Sequence, residues 1–263
     1  TGHKMFIAPN PPEGALIHYY LNDDITGEDA VVITIHGEAD QTIRRLHGSG
    51  AAGLNRVNWD LRHEPPLPPT GQGGFGGPPA GPRALPGTYS VRITAGNSQS
   101  TTTVTVFDDP RINVPEGDRR AQREALLGLG GLMADLDVAH QTAERFTGQL
   151  ELLAESLEAG EVPAAVSSMV ASVGDQMDAL EGKLARGGGF GGDSPRPLSS
   201  RITRLYRNLG SYTERPNAFQ VARIEAYTQE FNGLLEELDQ FIANEIATLN
   251  STIEQHGIQR ITQ

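Results

Sequence analysis

The chain has 263 residues, enough for one large domain or two of ordinary size, and a prior of roughly 150 residues per domain favours two. Hydrophobic residues make up 37%, and with the 31 glycines added close to half of the chain is apolar, which is globular composition and excludes wholesale disorder. The 21 Lys and Arg against 33 Asp and Glu leave a net charge of −12, the wrong sign for phosphate backbones or anionic lipid, and zero cysteines exclude disulfides, thiolate metal sites and a cysteine nucleophile.

The chain opens Thr1-Gly2-His3-Lys4-Met5-Phe6-Ile7, without an initiator methionine or the charged and apolar regions of a signal peptide. It reads as a chain whose leader has been removed, or as part of a longer polypeptide. No run approaches the 18 apolar residues of a membrane span.

The texture changes near Asp108-Asp109-Pro110-Arg111. Before it, short runs rich in β-branched and aromatic residues alternate with Gly, Pro and Asp, and predict strands over Ala15–Leu21, Ala30–His36, Gln41–His47, Leu54–Leu61, Gly87–Ala95 and Gln99–Phe107. In two of them the alternation is clean. Tyr89, Val91 and Ile93 oppose Ser90, Arg92 and Thr94, while Val57, Trp59 and Leu61 oppose Arg56, Asn58, Asp60 and Arg62. Six or seven short strands without intervening helices predict an antiparallel immunoglobulin-like β-sandwich over 1–112, with a Gly/Pro-rich loop at 63–84. Trp59, the single tryptophan, is its expected core anchor.

After Pro115 the period becomes helical. Ala125, Leu129, Leu132, Leu136, Ala139, Ala143, Phe146, Leu150, Leu153 and Leu157 follow at alternating spacings of 4 and 3, the seam of one long helix. Asp118 is its expected N-cap and Gly160 its stop, and Gly128, Gly130, Gly131 and Gly148 are expected at close helix contacts. A second seam uses Val162, Val166, Met169, Val173, Met177, Leu180 and Leu184, before a Gly-rich loop at 187–197. A third uses Leu198, Ile202, Leu205, Leu209 and Tyr212. The fourth starts at Pro216, runs through Ile224, Tyr227, Phe231, Leu234, Leu238 and Phe241, then shifts to Ile242, Ile246, Leu249 and Ile253 and closes at Gly257. Region 113–263 is therefore expected to be an elongated antiparallel bundle of three to four helices, the two short ones placed end to end, and the chain as a whole an α+β protein of two domains.

Chemistry is sparse. Gly71-Gln72-Gly73-Gly74-Phe75-Gly76 has the glycine spacing of a dinucleotide loop, but prolines flank it and no helix follows to hold a pyrophosphate. The Gly-Gly-Phe-Gly-Gly string recurs around Phe190, so Phe75 and Phe190 are candidate contact tips on glycine loops. No histidine pair has zinc spacing, and His63-Glu64 lacks a second histidine. Asn22-Asp23-Asp24 with Glu28-Asp29 reads as a solvated turn, with calcium at Asp23 and Asp24 left open; Asp135, Asp137 and His140 read as the wet face of a helix. Ser49, between two glycines, has no identifiable base. Hence no catalytic, cofactor-binding or metal residue is assigned, and no cofactor is expected.

The strings Asn10-Pro11-Pro12-Glu13-Gly14-Ala15, Tyr19-Tyr20-Leu21, Ile43-Arg44-Arg45-Leu46, Gly53-Leu54-Asn55-Arg56-Val57-Asn58-Trp59-Asp60-Leu61-Arg62 and Leu85-Pro86-Gly87-Thr88-Tyr89-Ser90-Val91-Arg92 carry a resemblance, and the stretch from Ala218 to Asn250 shares it. They resemble the C-terminal region of secreted bacterial sortilin-like or BNR-repeat glycosyl-hydrolase-type β-propeller proteins. There an immunoglobulin-like module similar to that of the flagellar hook-capping protein precedes a helical tail. The resemblance implies a secreted or periplasmic, non-catalytic accessory region that packs on an upstream or separate propeller or self-associates through its helices. It implies no nucleic-acid partner and no catalytic residue here, since the propeller repeats are missing. The alternative is a carbohydrate-binding accessory module, for which Tyr19, Tyr20 and Tyr89 are the aromatic candidates.

Overall fold

A computed structural model describes residues 13–27, 29–68, 79–111, 113–158, 163–185 and 196–262. The chain is α+β and folds as two compact units, one of Thr1–Pro65 with Ala80–Pro115 and one of Pro66–Pro79 with Glu116–Gln263.

The first unit holds β1 (Ala15–Leu21), β2 (Val31–His36), β3 (Thr42–Gly48), β4 (Gly53–Trp59), β5 (Gly87–Ala95) and β6 (Ser98–Val106), each within two residues of the span expected from sequence. They form two antiparallel sheets, β1-β4 and β3-β2-β5-β6. Period-two alternation turns Ile17, Ile43, Tyr89, Val91 and the three apolar residues Val31, Ile33 and Ile35 of the central strand onto one core. Trp59 is fully buried there, its ring edge-on to Tyr89 at 5.3 Å. Its Nε1–H donates to the Arg62 carbonyl at 2.9 Å. That carbonyl is brought round by Leu61, which holds φ +57, an unusual conformation for a bulky residue and one that only a fixed surrounding sustains.

The base of the long β4–β5 connection is closed by backbone pairing. His63 N–H donates to the Pro82 carbonyl and Ala84 N–H to the Leu61 carbonyl, both at 2.8 Å, beside an Arg62–Arg83 bridge. Gly81 is obligatory at this neck, because a Cβ there would lie 2.0 Å from the His63 carbonyl oxygen.

The second unit holds α1 (Glu116–Glu158), α2 (Ala164–Leu184), α3 (Leu198–Gly210), α4 (Ala218–Phe241), a π-helical turn (Ile242–Ile246) and α5 (Ala247–Glu254). At 1.5 Å per residue α1 is about 64 Å long, α2 about 32 Å and α3 about 20 Å. One apolar core runs from Leu126 to Leu157 of α1 and takes in the buried faces of all the other helices, and Leu67 packs against it. Four expectations are corrected. The long helix begins at Glu116, so Asp118 lies inside its first turn, where its carboxylate accepts from Arg215 Nε at 2.8 Å instead of capping. Gly128, Gly131 and Gly148 face open space; only Gly130 is closely approached, by Pro66 Cβ at 3.2 Å. Val170 and Tyr206 take the buried positions expected of Met169 and Leu205, which are only partly covered. Finally, α4 is capped by Asn217, one residue after Pro216, through a reciprocal box in which the Gln220 amide donates to Asn217 Oδ1 and the Asn217 amide to Gln220 Oε1. The expected stop at Gly160 lies outside the described residues.

The shift in the fourth seam has a physical cause. Leu238 and Phe241 are followed by Ile246, five residues on, and then by Leu249 and Ile253. A spacing of five puts one residue too many into an α-helical seam, and the π turn at Ile242–Ile246 absorbs it so that one face stays buried throughout. Helix α5 then ends in a Schellman motif: Ile258 N–H donates to the Ile253 carbonyl and Gly257 N–H to that of Glu254, with Gly257 at φ +69.

Candidate functional site

In the two-stranded sheet β1 buries Ile17 and half-buries Ala15, Tyr19 and Leu21, so the alternate residues Leu16, His18 and Tyr20 turn outward. The antiparallel register sets Tyr20 directly across from Leu54, His18 from Arg56 and Leu16 from Asn58. Tyr20 is 68% exposed and Leu54 75%, a phenol ring and an isobutyl group side by side at one end of a sheet face whose next pair carries hydrogen-bond donors. An aromatic face bordered by such donors can stack on a flat ligand with apolar patches and polar edges, the description of a sugar ring.

The other two tyrosine candidates are committed elsewhere. Tyr89 is buried and donates its hydroxyl to the Leu85 carbonyl at 2.7 Å. Tyr19 donates to the Ser49 carbonyl at 2.7 Å, and burial raises its phenol above the ordinary value, the hydrogen bond partly opposing. Ser49 itself is a turn residue whose Oγ accepts from the Ala51 amide at 3.1 Å. Trp59 lies in the core and offers no exposed ring. Phe75 and Phe190, the two candidate contact tips, lie outside the described residues, as do the glycine strings around them.

The carboxylates are used structurally. Asp24 Oδ1 accepts from the Ala52 amide at 2.7 Å, fastening the β1–β2 connection, while Asp29 faces Arg45 and His47 at 3.5 and 3.1 Å. Glu64 is tied to β3: its amide donates to the Ile43 carbonyl and its carboxylate accepts from the Arg45 amide. Asp109 is held by hydrogen bonds from the side chain and backbone of Arg111, which bring its carboxyl down to about 2. Asp137 corrects the wet-face reading, for it is buried, accepts from Gln141 Nε2 at 2.9 Å, and lines a space about the size of one water molecule with Met133, Leu136, Leu184, Ser199 and Thr203. Among the described residues no group of three His, Cys, Asp or Glu is placed to hold a metal, and no helix is long and apolar enough to cross a membrane.

Two constellations escaped the sequence reading. Arg223 stacks over Phe219 and Tyr227 at 5.1 and 5.9 Å, and Arg201 of α3 lies over the Tyr227 ring at 5.3 Å while pairing with Glu230. The i, i+4, i+8 spacing of Phe219, Arg223 and Tyr227 is the signal that reveals the α4 part of this ladder. The second is a pair of amide clamps on the C-terminal tail. Asn250 donates to the Ile261 carbonyl and accepts its N–H at 2.9 and 2.8 Å; Gln149 does the same for Thr262 at 2.8 and 2.9 Å. Local sequence carries no trace of these, because the partners of Gln149 lie 113 residues away.

No protein-family model, no curated protein and no solved structure matches the chain.

Proposed function

We propose that the chain is a non-catalytic structural and interaction region of a larger secreted β-propeller protein, in which an immunoglobulin-like sandwich serves as a packing module and an elongated antiparallel helical bundle as a strut. The observation that carries this reading is the helical unit: one helix of 43 residues is lined along its length by the remaining helices through a single apolar core, and the tail is fastened back onto it by Gln149 and Asn250. A continuous core over about 47 Å of α1 resists bending and suits a spacer or an assembly arm better than a cleft-bearing scaffold. The residue strings around Trp59 and Tyr89 supply the link to propeller proteins and to a secreted or periplasmic setting. The test is co-purification of this chain with a separately expressed propeller region from the same reading frame, alongside sedimentation of the chain alone. Stable association with the propeller, or a defined oligomer, is expected; a strict monomer with no affinity for the propeller defeats the proposal.

The second reading, a carbohydrate-binding accessory module, is favoured by one observation, the open Tyr20 beside Leu54. Glycan-array binding that disappears in Tyr20→Ala, with the fold retained by circular dichroism, would establish it over the first.

A further inference from the structure

β6 is the outer strand of the four-stranded sheet, paired on one side to β5 in unbroken register from Ser98 to Val106, with no described strand on the other. Such an edge presents a row of backbone donors and acceptors to any strand that fits, and edges are ordinarily blunted by charge, proline, bulges or cover. β3, at the opposite side of the sheet, has these defences. Arg44, Arg45 and His47 lie along it, and Glu64 occupies its edge, its amide bonded to the Ile43 carbonyl at 2.7 Å and its carboxylate to the Arg45 amide at 3.0 Å. β6 has none of them among the described residues: Ser-Gln-Ser-Thr-Thr-Thr-Val-Thr-Val contains no charge and no proline, keeps register without a bulge, and exposes every residue from Ser98 to Thr103. Its threonines and valines favour the extended conformation.

We propose that β6 is an assembly edge that pairs antiparallel with β6 of a second copy of this chain, continuing the four-stranded sheet across a two-fold axis. Charge selects this occupant. In a chain of net charge −12, copies meeting elsewhere tend to set carboxylate against carboxylate, whereas β6 against itself opposes no like charges. Full overlap places Thr102 on the axis, Thr101 opposite Thr103 of the second copy, and Ser98 opposite its Val106. Continued one residue, that register sets Phe107, which is 82% exposed, against Asn97 of the second copy and covers the ring. Asp108 then faces Gly96 of the second copy, clear of the other carboxylates. Nine residues span about 30 Å, an edge contact smaller than the ~800 Å² per partner of stable complexes, so dimerisation is expected in the micromolar range. The proposal extends the assembly role to a surface outside the helical unit and stands or falls separately from it.

The full chain lacks cysteine, so single substitutions report pairing directly. Thr102→Cys is expected to give a disulfide-linked dimer under mild oxidation, and Ser100→Cys mixed with Val104→Cys a heterodimer, while Ser100→Cys alone stays monomeric. Because residues 101 and 103 are exposed, the double variant Thr101→Lys/Thr103→Lys is expected to keep its circular dichroism spectrum. It should weaken dimerisation in sedimentation by about tenfold or more, since it sets like charges across the axis. A monomer across the whole concentration series, or a dimer untouched by the lysines and without the cysteine cross-links, overturns the proposal. In the latter case assembly through the helices survives.

Discussion

In the sheet unit eight buried apolar residues make up the core and Trp59 is the largest of them; in the helical unit 29 do so among the described residues, spread from Leu126 to Ile261. The sheet unit compensates with pinned backbone: an antiparallel ladder, a closed neck at Arg62–Arg83, and turns fastened by Asp24, Glu64 and Tyr19. The helical unit draws on distributed burial. One large side chain therefore carries a greater share of stability in the first unit than in the second. The single tryptophan lies in the sheet unit and helical circular dichroism reports mainly on the other, so the two responses can be followed in one unfolding experiment.

The largest expected effect is Trp59→Ala. It removes the biggest core side chain, its edge-on contact with Tyr89 and the donor to the Arg62 carbonyl, and should destabilise the sheet unit by about 3–5 kcal/mol. Tyrosine fluorescence and amide exchange over β2 and β5 would follow the loss, with the helical signal little changed. A sheet unit that tolerates the change to within about 1 kcal/mol would break the comparison.

Ile202→Ala sharpens it from the other side. Ile202 is fully buried on the inward face of α3, and its truncation should cost the helical unit about 2–5 kcal/mol, visible as a lower denaturation midpoint at 222 nm. The tryptophan emission midpoint should stay where it was. With 29 residues sharing that core, the unit is expected to remain folded.

Much of this contrast is already written in the sequence, for reasons specific to each residue. The strands are legible because alternation in Tyr89-Ser90-Val91-Arg92-Ile93 can fit only a half-buried pleated surface, and α1 because its seam repeats from Ala125 to Leu157. Choices between neighbours are not legible: Met169 and Val170 are both apolar, and which one faces α1 depends on how α2 is rotated, something local pattern does not fix. Asp137 defeats a rule of polarity, since its carboxylate is buried beside Gln141. The sheet-face candidate was half legible. Tyr19 and Tyr20 are identical in type, and only the pairing of β1 with β4 decides that Tyr20 is the open one.

A smaller effect is expected at the tail. Asn250→Ala removes both hydrogen bonds to the Ile261 backbone and leaves a partly buried carbonyl and amide without them, a cost of about 1–3 kcal/mol. Loss of exchange protection at Ile261 and Thr262, with α1 unaffected, would show that the clamp acts locally. Gln149→Ala should release Thr262 in the same way while Ile261, buried and held by Asn250, keeps its protection.

The smallest effect is expected from the most drastic-looking change. Deleting Asn244, an exposed residue within the π turn, would bring Phe241 and Ile246 to a spacing of four and restore the alternation of 3 and 4 from Leu238 to Ile253. The same apolar residues then fall on the same face of an uninterrupted α-helix, so the melting midpoint should be unchanged or slightly raised. Deleting Glu236 instead removes a residue upstream of Leu238 and Phe241, both buried, and swings them off the core by about 100° before the π turn can compensate. That variant should lose at least about 2 kcal/mol. If the two deletions prove equally harmful, the π turn is needed for the path of the helix rather than for its register, and the helical unit depends on one local irregularity much as the sheet unit depends on Trp59.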